Sequence, residues 1–112
     1  ELCFFLLTEL DAPLYLIRRH LDLAHIYGEA PTAVASARNY FSELAGAHLE
    51  IWDGDGFLMP EGMSVADILL GTILGSAKRH EIAVPEILGD YLGRMTARPA
   101  YTTALERNIQ GA

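Results

Sequence analysis

Few residues in this chain are placed to do chemistry. Four histidines, His20, His25, His48 and His80, are present. None stands four residues from another, the spacing that puts two imidazoles on one helical face around a metal. The single cysteine, Cys3, has no second thiol for a disulfide or a thiolate zinc set. Its neighbours Leu2, Phe4, Phe5, Leu6 and Leu7 favour an inert neutral thiol, because burial disfavours the thiolate. Asp53-Gly54-Asp55-Gly56 has the opening of a calcium loop, but Phe57, Leu58 and Met59 occupy the later ligand positions. There is no G-x-S-x-G elbow, Gly-rich phosphate loop or Cys/His pair. These patterns predict no catalytic residue and no metal. One carboxylate stands apart. Asp67 follows Ser64 by three residues, the spacing of a capping box, in which each side chain accepts from the other's backbone N–H. The positive end of the helix offsets its charge. The spacing therefore predicts a structural role for Ser64 and Asp67.

Helices must hold these residues, because the apolar pattern has a helical period almost throughout. Leu2, Leu6, Leu10, Leu14, Ile17, Leu21 and Ala24 recur every three or four residues, one stripe on a long first helix. Pro13 lies inside it and predicts a kink, since proline removes a donor and clashes with the preceding turn. Gly28 ends this helix. Pro31 suits the start of a second, with Val34, Ala37, Phe41, Leu44, His48 and Ile51 as its stripe. The repeated Asp-Gly of 53–56 stops it, and a loop follows.

Ser64 opens a third helix running from Val65 to about Arg79, with Met63 and Ile68 at the staple positions. Ile68, Leu69, Leu70, Ile73, Leu74 and Ala77 make it apolar nearly all round, which predicts burial on every side at the centre of the fold. Gly71 and Gly75 predict close approach by neighbouring helices. Pro85 opens a fourth helix with Ile87, Leu88, Tyr91, Leu92 and Met95 buried. Pro99 opens a fifth carrying Tyr101, Ala104, Leu105 and Ile109. No useful period-two alternation appears. The expected fold is all-α, a single bundle of about five helices.

Composition narrows the classes further. The chain has 112 residues, 51% of them hydrophobic, with 8 Lys and Arg against 15 Asp and Glu and a formal net charge of −7. Such hydrophobicity excludes disorder. The acidic balance argues against nucleic acid, whose phosphates need clustered cations. No apolar run reaches the roughly 18–20 residues that span a bilayer. No membrane association is expected, and a cytoplasmic location is. Residues 1–56 hold nine of the acidic residues and three arginines. Leu2–Leu7 is apolar in every direction although it begins the chain. Together these features predict that the front half faces something other than solvent.

Three segments resemble one family. Gly62-Met63-Ser64-Val65-Ala66-Asp67-Ile68-Leu69-Leu70 is similar to the G-x-S-x-A-D-x-x-L segment in the C-terminal helical domain of glutathione S-transferases. Arg94-Met95-Thr96-Ala97-Arg98-Pro99-Ala100-Tyr101 resembles the R-x-x-A-R-P-A-Y stretch further on in that domain. Thr8-Glu9-Leu10-Asp11-Ala12-Pro13-Leu14 resembles its kinked first helix in bacterial members. The three occur in order over the whole chain. The resemblance implies that residues 1–112 are this helical domain, cut within its first helix, without the thioredoxin-like N-terminal domain that binds glutathione and activates its thiol. It implies a wall for a hydrophobic electrophile pocket, with Phe4, Phe5, Thr8, Glu9, Ala12 and Tyr15 as substrate-binding candidates. One bacterial class carries a His-Lys pair where Thr8 and Glu9 stand. Glutathione would be the co-substrate of the full-length detoxification enzyme, bound to the missing domain and not to this fragment, which alone is expected to be inactive. A homodimer is implied, its interface and the missing domain covering Leu2–Leu7. The alternative is a non-catalytic protein-interaction module with the same helical fold.

Overall fold

The computed structural model describes residues 2–49, 57–59 and 62–111. His48's side chain, Ile51 and the Asp53–Gly56 turn lie outside the described residues. All regular structure described is helical apart from an isolated antiparallel bridge, Met59 to Gly62. Gly62 closes this turn with φ +124°, a value that L side chains rarely adopt, and its N–H reaches the Met59 carbonyl at 3.2 Å.

The first helix is built in pieces. It comprises α1 (Leu2–Phe5), a π-helical turn (Leu6–Leu10), α2 (Asp11–Ile17) and a second π turn (Arg18–Asp22). Leu23 interrupts it before the short α3 (Ala24–Tyr27), so six helical runs are described where five are expected. The chain stays helical through the buried Pro13. The irregularity falls one turn upstream, where the Asp11 N–H reaches back five residues to the Leu6 carbonyl. A proline ring crowds the carbonyl four residues before it, here that of Glu9, and a widened turn gives that carbonyl room.

Leu6, Leu10, Leu14 and Ile17 are buried as the stripe requires. Leu21 is not: it is 48% exposed. The second π turn closes from the Leu23 N–H to the Arg18 carbonyl at 2.9 Å. Its extra residue shifts the side-chain register, and Asp22 comes to meet His80 instead.

The helix α4 (Pro31–Leu49) packs Val34, Ala37, Phe41 and Ala45 against α2. The helix α5 (Val65–Arg79) lies between the first helix and α6 (Glu86–Thr96). Burial of α5 is confined to one broad face: Ala66, Asp67, Leu70, Gly71, Ile73, Leu74 and Ala77. Val65 and Ile68 are 63% and 55% exposed, which corrects the expectation of burial on every side. A helix with two flanking helices leaves its outer face to solvent whatever residues it carries there. The staple residues Met63 and Ile68 are likewise exposed. Close approach at the glycines is also corrected. A Cβ on Gly71 would meet the Met95 Cβ at an ordinary 4.0 Å, and one on Gly75 would meet nothing within 4 Å.

In α6, Leu88, Tyr91, Leu92 and Met95 are buried as expected, with Ile87 half-buried. The last helix, α7 (Pro99–Gly111), touches α6 alone among the described elements. Its apolar residues Tyr101, Leu105 and Ile109 remain 39%, 48% and 68% exposed.

The connection after α5 is pinned from two sides. Glu81 takes a left-handed φ of 57° while Ile82 N–H bonds the Ala77 carbonyl at 2.9 Å, a Schellman-type end. Arg38 of α4 donates to the His80 carbonyl, and Ser42 donates to that of Ala83 at 2.7 Å. His80 Nε2 lies 2.8 Å from Asp22 Oδ2. No helix among the described residues is long and apolar enough to cross a membrane.

Candidate functional site

The most organised polar cluster is built on Asp67. Ser64 takes extended backbone as N-cap of α5, and the reciprocal contacts of a capping box are both present. Asp67 Oδ2 accepts the Ser64 N–H at 3.0 Å. The carboxylate also makes two bonds that no local motif announces. Oδ1 accepts the Leu58 N–H at 3.1 Å and the Tyr91 O–H at 2.8 Å. The side chain is fully buried, so these donors replace the water it has lost. One carboxylate thereby joins the preceding loop, the start of α5 and the middle of α6.

Tyr91 is the other half of this unit. Burial pushes its hydroxyl well above the ordinary tyrosine range, and the hydrogen bond and charge of Asp67 push it further, against a smaller opposing effect of Arg94. A phenol so held is a donor at every physiological pH and no proton shuttle. Beside it lies a small cavity of about 140 Å³ lined by Phe57, Tyr91, Arg94, Met95 and Arg98. The Arg98 guanidinium sits 5.6 Å from the Phe57 ring centre, within cation–π range. The arrangement holds a loop against two helices. It presents no nucleophile next to a base.

The six substrate-binding candidates fall on the first helix and α2. Phe4, Thr8, Ala12 and Tyr15 follow one another at helical spacing and are all exposed, Phe4 by 73% and Tyr15 by 65%. The Thr8 hydroxyl bonds back to the Phe4 carbonyl at 2.7 Å. Phe5 is half-buried against the core. Glu9 is exposed and accepts from the Tyr40 hydroxyl of α4 at 3.2 Å. That bond and the charge of Glu9 raise the Tyr40 hydroxyl above its usual range. Burial raises the Asp11 carboxyl. The helix therefore brings four of the candidates onto one open face, two of them aromatic and one a hydroxyl. Neither of the two clefts described for this molecule is lined by any of the six. Cys3 is half-buried. Among the described residues no three His, Cys, Asp or Glu side chains converge as a metal site needs.

Sequence reasoning did not find Tyr91, Leu58 or Tyr40 as partners. Tyr91 carried one legible signal, a phenol on an otherwise apolar buried face, which needs an acceptor inside. The Leu58 bond had none, because any backbone N–H can serve. No family model matches the chain, and neither does any curated protein or solved structure.

Proposed function

We propose that this chain is the helical domain of a glutathione S-transferase-like subunit. In this reading the open face of the first helix forms one wall of a pocket for an apolar electrophile. The intact protein conjugates or reduces that electrophile with glutathione. A thioredoxin-like domain outside these residues holds the glutathione, and the subunit pairs as a homodimer in the cytoplasm.

The observation that carries the reading is that the residues of the G-x-S-x-A-D segment have separate physical duties. Gly62 supplies a positive φ, Ser64 caps α5, Ala66 is buried, and Asp67 is the buried acceptor that joins three segments. The second segment, Arg94–Tyr101, spans the turn from α6 to α7. The exposed Phe4, Leu7 and Tyr15 give the apolar surface that a pocket wall or a subunit contact requires. Tyr15 would offer its hydroxyl to negative charge developing on the electrophile.

The natural gene product containing this chain tests the reading. It should be retained on immobilised glutathione, sediment as a dimer, and turn over glutathione with an activated aryl halide. The 112-residue chain alone should show no turnover. Tyr15→Phe in the intact protein should lower kcat/KM for several electrophiles. Retention and turnover both absent would leave the interaction module. Turnover by the chain alone would place the thiol-activating group within it and overturn the assignment.

A further inference from the structure

The second cleft lies at the opposite end of α5 from the Asp67 cluster, between its last turn and the second π turn. It measures about 380 Å³ and is lined by Arg18, Asp22, Ser76, Arg79 and His80. The chain is acidic overall, yet this wall carries two guanidiniums and an imidazole against one carboxylate.

One oxygen of that carboxylate is already committed. Asp22 Oδ2 is 2.8 Å from His80 Nε2, while His80 Nδ1 is 2.9 Å from the Ser76 carbonyl oxygen. Both ring nitrogens of His80 are therefore engaged within the protein. The Arg18 and Arg79 guanidiniums have no hydrogen bond, ion pair or ring contact among the described residues, and the Ser76 hydroxyl makes no hydrogen bond there. Arg38 approaches from α4 and donates through one nitrogen to the His80 carbonyl. The carbonyls at the end of α5 are occupied too: Ser76, Ala77 and Lys78 accept from His80, Ile82 and Glu81. The cleft thus sets two guanidiniums against one carboxylate, and among its side chains the donors left over outnumber the single carboxylate oxygen, Asp22 Oδ1, that makes no bond among the described residues.

We propose that this cleft binds a phosphoryl dianion, with Arg18 and Arg79 gripping it from two elements and the Ser76 hydroxyl donating to a third oxygen. Two guanidiniums from separate elements, with a hydroxyl on the same helix as one of them, suit the tetrahedral array of phosphoryl oxygens better than a planar carboxylate, and guanidiniums suit it best. The Asp22–His80 contact holds the π turn against the α5 terminus. The cleft volume exceeds what one phosphate fills, so a small phosphate monoester fits the space better than the free ion. This site is independent of the glutathione reading.

The experiment is calorimetric titration of the full chain with inorganic phosphate and, separately, with glycerol phosphate. Saturable binding is expected with Kd below about 10 mM. Arg18→Gln and Arg79→Gln should each weaken it about tenfold or more, as charge-assisted bonds to phosphate do. Arg107→Gln, on exposed α7, should leave it unchanged. Tighter binding of the ester identifies a monoester as the ligand, and equal binding identifies free phosphate. The two cleft arginines are exposed and unpaired among the described residues, and their variants should keep the wild-type helical circular dichroism. No saturable binding by either probe would overturn the proposal. So would equal loss in the Arg107 variant, or undiminished binding by the Arg18→Gln, Arg79→Gln double variant.

Discussion

Replacing Asp67 with alanine should be among the most damaging single changes to this fold. The substitution removes the acceptor for the Ser64 N–H, the Leu58 N–H and the Tyr91 O–H together. Tyr91 can turn to the residue 67 carbonyl, already 3.3 Å away, so its loss is partial. The two backbone donors, both part-buried, have no such substitute, and an unsatisfied buried N–H costs about 1–3 kcal/mol. With the lost favourable charge at the start of α5, the total comes to about 3–5 kcal/mol. In a domain of this size that lowers Tm by roughly 12–20 °C. Urea unfolding followed by helical circular dichroism measures it, with the slope m unchanged. Asp67→Asn keeps one accepting oxygen and should lose about half as much. A double-mutant cycle with Tyr91→Phe should return about 1–2 kcal/mol of coupling. An Asp67→Ala variant within about 1 kcal/mol of wild type, or strict additivity in the cycle, would refute the view that this carboxylate ties the segments together.

Tyr91→Phe alone should cost about 1.5–3 kcal/mol, since it removes a bond to a charged acceptor. It should also flatten the alkaline limb of stability. The unfolded tyrosine ionises above about pH 10 while folded Tyr91 stays protonated, so wild-type stability falls by about 1.4 kcal/mol per pH unit there. Chemical denaturation between pH 9 and 11, compared across the two proteins, reads the difference in slope. Glu81→Gly should stabilise by about 0.5–1 kcal/mol by removing a side chain from left-handed backbone at the end of α5, and a lower urea midpoint would contradict it. Leu10→Ala, at a fully buried position, should cost about 2–5 kcal/mol, whereas Leu7→Ala, 52% exposed, should stay within about 0.5 kcal/mol. Equal losses in thermal melts would mean that the first helix buries a different face.

Short-range features were legible because their causes are short-range. The capping box at Ser64 and Asp67 needs one turn of helix and no tertiary contact. The limits of α5, Val65 to Arg79, follow from that cap and from the end of the periodic run. The buried faces of α4 and α6 follow from a 3.6-residue period and the drive to remove apolar surface from water. Four of the six first-helix candidates, Phe4, Thr8, Ala12 and Tyr15, share an exposed face because they lie at helical spacing, while Phe5 turns toward the core.

The sequence by itself thus determined the helical class, where α4, α5, α6 and α7 begin, and that Asp67 would be held by its own backbone. Only the tertiary structure decided that Tyr91 and Leu58 complete its shell, since those partners come from other segments and any donor at the right place would serve. It also decided that Val65, Ile68 and α7 stay open, because exposure depends on how many neighbours a helix has and not on its composition. Above all it decided that the first helix widens at two π turns. One extra residue in the second of these moves Leu21 out, and the exposed Asp22 comes to lie against His80 across 58 positions of sequence. A periodic pattern cannot signal such a shift, because the hydrogen bond that skips a residue is chosen by what the helix packs against.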